Sequence, residues 1–255
     1  MKNHDNFKYL SLLTVVILFL VWFLITEDGF ALVRKFIFPS PRAVLFSLVT
    51  MAELIPIDLF ATLSRLIIGF VSGALLGITL GLLMSYNKII NYIFDPVVES
   101  IRPVPVIAMI PFLIMWFGIG EMGKFILITL GVFAILVVST LEAVKNVPKI
   151  YLRAATTLGA NHRNIFRSII IPCIIPELVG PMRVATALSF TLVVAAEFMG
   201  GQVGIGYRIM EARKLFFPEI ILLNVVIITI LATIADRLLR IVASFLTRWS
   251  EREGR

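Results

Sequence analysis

Residues 153–172, "RAATTLGANHRNIFRSIIIP", form a basic, amide-bearing stretch inside a chain otherwise greasy enough to dissolve in lipid. Locally it reads as two short helices at an angle. Asn146 suits an N-cap, with Pro148 in the first turn where its missing N–H does no harm. A helix then runs to about Leu158, with Tyr151, Leu152, Ala155 and Leu158 on one apolar face. Gly159 suits the left-handed position that closes a helix. Asn161 is placed to cap a second helix, in which Ile165, Phe166, Ile169 and Ile170 recur at helical spacing, and Pro172 stops or bends it. Ala154 and Ala155 carry little bulk, so a partner surface can approach to backbone distance. Arg153, His162, Arg163 and Arg167 put positive charge on the borders. This is the profile of a helix that docks into another protein's groove; a loop lying on its own membrane domain would use the same residues.

The surrounding chain sets the class. Of its 255 residues, 59% are hydrophobic and only 15% charged, with a mean hydropathy of +1.00. A soluble domain of this size needs a more polar surface, so the composition is that of a membrane protein. The net charge of +7 then reflects Lys and Arg in cytoplasmic loops beside anionic lipid rather than a nucleic-acid surface. The single cysteine, Cys173, excludes an internal disulfide framework and a cysteine-based metal cluster.

Residues 9–26, "YLSLLTVVILFLVWFLIT", hold 18 residues without a charge. As a helix they cover about 27 Å, enough to cross a hydrocarbon core. No small-residue cleavage site follows, so this is a retained span and not a signal peptide. Five more spans are expected at about 62–84, 105–117, 124–141, 179–200 and 219–243. The third is short and punctuated by Pro103, Pro105 and Pro111, which requires neighbouring helices to shelter the freed carbonyls. Gly69, Gly73, Gly77 and Gly81 form a stripe along the second, where another helix can pack closely.

Six spans with both termini inside place fourteen Lys and Arg in the cytoplasm, Lys2, Lys8, Arg252 and Arg255 among them. Eight lie outside: Arg34, Lys35, Arg42, Arg65, Lys124, Arg208, Arg213 and Lys214. This bias also puts residues 153–172 in the cytoplasm. Segment 27–61 is partly apolar and is expected to lie along the outer interface as an amphipathic helix after the turn at Pro39–Pro41. Without a linker or a clear internal repeat, residues 1–255 read as one all-α membrane domain, with its core at about 60–250 and its loop at 142–178.

The opening stretch carries a resemblance. Its spacing is similar to the cytoplasmic loop signature of ABC-importer permeases: Glu-Ala-Ala, three residues, Gly, nine residues, Ile-x-Leu-Pro. Here Arg153-Ala154-Ala155 is followed by Gly159 and then by Ile169-x-Ile171-Pro172, with Arg in place of Glu and Ile in place of Leu. "RPVPVIAMIPFLIMWFGIGE" (102–121), "AATTLGA" (154–160), "IIPELVGPMRVA" (174–185), "LVVAAEFMG" (192–200) and "GIGYRI" (204–209) resemble the branch that imports taurine, alkanesulfonates, nitrate and bicarbonate, the taurine permeases above all. Arg at the Glu position occurs in that branch too.

The resemblance implies a type I ABC-importer permease with cytoplasmic coupling helices. It also implies two ATPase subunits, a second permease copy (a homodimer), an external substrate-binding protein and a bacterial cytoplasmic membrane. Arg153, Ala154, Ala155, Leu158, Gly159, Ala160, Asn161, Arg163, Ile169, Ile171 and Pro172 would contact the ATPase. ATP and Mg would bind on that partner, because this chain has no GxxxxGK[ST] loop. Its glycine clusters "GGQVGIG" and "GFVSGALLG" lack the Lys-Ser/Thr that holds phosphate and magnesium.

Charged and aromatic residues in the spans are candidates for the pathway. Glu197, before Gly200-Gly201, is placed to shape an outer gate or to pair with a neighbour. Arg183 offers a counter-charge to an anion, or braces the loop with Glu177. Trp116 and Phe117 suit an aromatic belt or a gate constriction. His4 and His162 lack the neighbours a metal site needs, and no nucleophile–base set for covalent catalysis stands out. An ion-gradient carrier or channel, a membrane scaffold, and a permease for a pyrimidine or flavin precursor are the other readings. Inverted repeats and mid-membrane carboxylates, which would favour the carrier, are not evident.

Overall fold

The computed structural model describes residues 3–26 and 38–248, the side chains of 3–12 and 15 excepted. Lys2, Arg34, Lys35, Arg252 and Arg255 of the orientation count, the side chain of Lys8, and the first part of segment 27–61 lie outside what is described. Among the described residues every regular element is a helix: α1 (Asn3–Thr26), α2 (Pro41–Thr50), α3 (Ile55–Tyr86), α4 (Lys88–Ile101), α5 (Ile110–Phe117), α6 (Glu121–Asn146), α7 (Lys149–Thr157), α8 (His162–Ile165), α9 (Ile171–Phe198), α10 (Ile205–Lys214) and α11 (Pro218–Leu246).

The bundle is built on α3, α6 and α9. The glycine stripe of α3 lies against α6 as the small side chains require. A Cβ on Gly69 would stand 2.6 Å from Ile128 Cβ, one on Gly73 2.6 Å from the Thr129 carbonyl oxygen, and one on Gly81 2.7 Å from Thr140 Cβ. Such distances are shorter than carbon contacts allow, so the two backbones are as close as glycine permits. Leu66, Ile128, Val132, Leu136, Ala185, Leu192 and Val193 fill the space between the three helices. Outside this core α11 packs on α9 and α10, and α2 packs on α11.

Among the described residues four helices are long and apolar enough to cross a membrane: Ile55–Tyr86, Glu121–Asn146, Pro218–Leu246, and the continuous helix His162–Phe198 that joins α8 to α9. The expected first span falls within α1. The expected third span is corrected: residues 106–117 form a 3-10 turn (Val106–Met109) and the eight-residue α5. Eight residues rise only about 12 Å, far short of a hydrocarbon core. Pro103 and Pro105 end α4, and the two pieces meet at 91°, so this segment crosses only as a bent pair with α4. Segment 27–61 contributes α2, capped by Ser40, whose hydroxyl accepts from Ala43 N at 3.3 Å. Trp22 Nε1 donates to the Pro39 carbonyl at 3.0 Å and ties this entry to α1.

Two details of the loop also depart from expectation. Asn146 closes α6 rather than capping α7, which starts after Pro148. Pro172 does not stop the second helix. A wide π turn at Phe166–Ile170 leads directly into α9, which carries Pro172, Pro176 and Pro181. The wider turn takes up the register where Pro172 has no N–H to give.

Gly73→Leu should force α3 from α6 and lower the detergent-solubilised unfolding midpoint by several degrees, whereas Gly180→Ala, with nothing within 4 Å of the added carbon, should leave it unchanged or raised; a thermal melt of both variants checks this.

Candidate functional site

At one end of the bundle stands the 149–170 loop. Lys149–Thr157 ends in a Schellman closure, with Gly159 N donating to Thr156 O and Ala160 N to Ala155 O, both at 3.0 Å. Gly159 holds φ at +79°, the left-handed conformation its position demands. Asn161 then caps the next helix, its side chain accepting from Asn164 N at 2.9 Å. The expected apolar face divides in two. Ala155 is buried and Leu152 packs toward Ala143, Val147, Ile174 and Leu178 at the feet of α6 and α9. Tyr151 and Leu158 face outward, Leu158 86% exposed, with Ile150 beside them.

Arg153, Ala154, Gly159, Asn161 and Arg163 are exposed, with Ala160 half-buried. Ile169, Ile171 and Pro172 are half-buried in the wide turn and the start of α9, with Ile169 and Pro172 lining a groove with α7. A groove of about 600 Å³ runs between Tyr151, Ala154, Ala155 and Leu158 on one side and Ile169, Pro172 and Cys173 on the other. Thus an exposed apolar ridge, a bulk-free alanine and unpaired basic side chains share one protruding surface. His162 is engaged in packing, its ring 4.8 Å from that of Tyr86, and Phe166 meets the same tyrosine edge-on at 5.0 Å.

At the opposite end lies a buried charge cluster that sequence reading did not assemble. Arg65 and Lys124, expected among the outer charges, sit on α3 and α6 and are 3% and 1% exposed. Arg65 grips Glu121 with two hydrogen bonds, Nε to Oε2 at 2.6 Å and Nη2 to Oε1 at 2.8 Å. Its Nη1 reaches Glu197 Oε1 at 2.7 Å and the Val203 carbonyl at 2.9 Å. Lys124 Nζ donates to Glu121 at 2.9 Å. Glu197, 1% exposed, also accepts from Thr62 Oγ1 at 2.7 Å and Gly206 N at 2.6 Å. Asp58 accepts from Gly204 N at 2.7 Å and from Arg208 Nε at 2.6 Å. Every buried ion therefore has a charged partner, the condition under which charges are tolerated in an apolar bundle. Gly204, at φ +127°, fits because it lacks a side chain: a Cβ would fall 2.5 Å from the Glu197 carboxyl.

The other pathway candidates lie elsewhere. Arg183 pairs with Asp236 of α11 at 2.7 Å rather than with Glu177. Trp116 and Phe117 end α5 on an exposed face, Trp116 62% exposed. No group of three or more His, Cys, Asp or Glu placed to hold a metal occurs among the described residues.

Residues 73–248 match the model of the binding-protein-dependent transport system inner membrane component family. The chain belongs to this family. It is a multi-pass permease subunit of the ABC-importer type, and membership implies ATPase and substrate-binding protein partners. The permease is 32% identical to the taurine transport system permease protein TauC of Escherichia coli K12, over 94% of this chain and 89% of that one. It is 28% identical to an aliphatic sulfonates transport permease protein, SsuC, of Bacillus subtilis, over 97% and 89%. Its fold is that of the inward-facing MetNI methionine ABC transporter (TM-score 0.58, 22% identity, 76% of this chain and 98% of that chain). It also matches an amino acid ABC transporter crystallised with histidines (TM-score 0.61, 17% identity, 80% and 97%).

Of the two ends, the loop was legible from its motif. The cluster was not, because its charged members are scattered from Asp58 to Arg208 and only the isolated Glu197 stood out as a carboxylate in a span. Arg65→Met should strand Glu197 and Glu121 and cost about 3–5 kcal/mol, read as loss of folded permease in a detergent melt; Arg183→Met, at a half-exposed pair, should leave the melt close to the parent's.

Proposed function

We propose that this permease carries a small sulfonate of the taurine class into the cytoplasm, driven by two partner ATPases that bind ATP and Mg and fed by an external binding protein. Two copies of the chain form the pathway, both termini lie in the cytoplasm, and the membrane is the bacterial cytoplasmic membrane. The 149–170 loop is the surface the ATPases hold. One observation carries this role: an apolar ridge of Ile150, Tyr151 and Leu158 is exposed on a helix whose C-terminal end is already closed by hydrogen bonds within the loop. Large apolar side chains on a polar-rimmed protrusion favour a protein partner, and Arg153, Arg163 and Arg167 around them favour an acidic groove.

The substrate class rests on the similarity to TauC over nearly the whole chain, with the SsuC relative pointing to the same chemistry. A pyrimidine or flavin precursor is the competing cargo. Binding affinity in such a system resides in the external protein, so the decisive experiment is uptake by the assembled transporter. With its ATPase and binding-protein partners in vesicles, it should accumulate radiolabelled taurine in an ATP-dependent way that excess alkanesulfonate competes down; uptake without ATP, or uptake of a pyrimidine precursor alone, would refute the assignment.

Gly159 tests the loop. A β-branched residue resists φ +79° and misdirects the helix that Asn161 caps. Gly159→Val should therefore reach the membrane at normal levels yet lose ATPase co-purification or transport about tenfold or more, in line with a loss of about 1–3 kcal/mol from an interface built on that geometry; wild-type pull-down and uptake would rule the loop out.

A further inference from the structure

A second groove, between the end of α3, the start of α4 and the end of α6, has no part in the sites above. It encloses about 580 Å³ and is lined by Lys88, Asn91, Tyr92, Asp95 and Lys145. It stands at the loop end of the bundle. Tyr86, two residues before Lys88, meets the His162 and Phe166 rings, and Lys145 lies in the last turn of α6. Among the described residues neither lysine has an ion pair or a hydrogen bond, and the Asp95 carboxylate has none. Two cations and one anion, from α4 and α6, thus share a groove without closing on one another.

The helix beside the groove is amphipathic. By helical spacing Lys88, Asn91, Asp95 and Glu99 share one polar edge. Ile90 and Val98 pack with Met84, Val137 and Leu141 and hold α4 to the body. A further face is apolar and uncovered: Ile89 is 69% exposed, Tyr92 85%, Ile93 59% and Val97 49%. A helix with a charged edge and a large apolar face lies where headgroups meet acyl chains. Tyr92 belongs both to the uncovered stripe and to the groove wall, so the one opens onto the other.

We propose that this groove binds the headgroup of an anionic phospholipid, whose acyl chains lie along Ile89, Ile93 and Val97. The phosphate meets the ammonium groups of Lys88 and Lys145, as basic side chains at a membrane surface gain from negative lipid. Asp95 repels a bare phosphate, so the groove favours a headgroup that brings its own donors, as the glycerol hydroxyls of phosphatidylglycerol do. A choline headgroup offers neither net negative charge nor a hydroxyl. A second copy of the chain seated here across a two-fold axis would bring the lysines toward their own counterparts, like charge to like, and lipid removes that conflict. The site does not depend on the ATPases. With the 149–170 loop in the cytoplasm, the lipid belongs to the inner leaflet.

The test is native mass spectrometry of the full-length permease in detergent, with equal amounts of phosphatidylglycerol and phosphatidylcholine. The parent should retain phosphatidylglycerol at least about tenfold over phosphatidylcholine, and Lys88→Gln with Lys145→Gln less than about threefold. A parent without preference, or a double variant that keeps it, would overturn the site. Arg213→Gln with Lys214→Gln, which removes the same charge from α10 at the other end, should behave as the parent; an equal loss there would assign the attraction to net charge and overturn the groove. Excess glycerol 3-phosphate should leave the lipid bound, since it has no chains to lie on the stripe; displacement would make this a soluble-phosphate site instead. In a Cys173→Ala background, Ile93→Cys should form no disulfide between chains under oxidation; a disulfide-linked dimer would put a second copy on the stripe in place of lipid.

Discussion

A guanidinium never gives up its charge inside a protein, so Arg65, nearly sealed inside an apolar bundle, must be met by carboxylates. The architecture at that end follows from meeting it. Glu121 faces Arg65 from the first turn of α6, and Glu197 faces it from the last turn of α9. The segment after Gly200 folds back so that the Val203 carbonyl and the Gly204 and Gly206 amides join the same set. None of this is possible unless α3 and α6 lie close together. The glycine stripe supplies that closeness, as side chains at Gly69 or Gly73 would strike α6. Packing without side chains thus precedes the electrostatics, and the electrostatics in turn set the register of four helices.

The other end is built on the opposite principle. The turn between its two helices is satisfied within the loop itself, by the closure at Gly159 and the cap at Asn161. Yet the large side chains of Ile150, Tyr151 and Leu158 are left outward, while Leu152, Ala155 and Ile170, with the His162 and Phe166 rings on Tyr86, bind it to the body. A segment with ordered backbone and few buried contacts moves as a unit when something holds it. One end of the permease is therefore locked by buried charge, while the other is presented for a partner, and α9 belongs to both.

Proline decides where continuity is lost or kept. At 101–111 the residues Pro103, Pro105 and Pro111 separate α4 from α5 and leave a sharp bend. At 171–181 an equal number of prolines leave the helix unbroken, because a π turn precedes them and α6 and α11 pack around the result. The two stretches look alike as sequence. Their outcomes differ because in a membrane protein the cost of a freed carbonyl depends on which neighbour is present to shelter it.

Much of the molecule was legible in the chain itself. Composition and runs of apolar residues established an all-helical membrane protein, since helices satisfy their own backbone in lipid. The spacing of Arg153-Ala154-Ala155, Gly159 and Ile169-x-Ile171-Pro172 identified the loop, since left-handed closure and N-capping are local and depend on the nearest few residues. The stripe on α3 was visible for the same reason. What the tertiary structure alone decided was pairing across distance: Arg65 with Glu121 and Glu197, Asp58 with Arg208, Arg183 with Asp236 instead of Glu177. An arginine or a glutamate reads the same in sequence whatever it faces. Its partner is chosen by the packing of helices 50 to 150 residues apart, and a one-dimensional pattern holds no record of that choice.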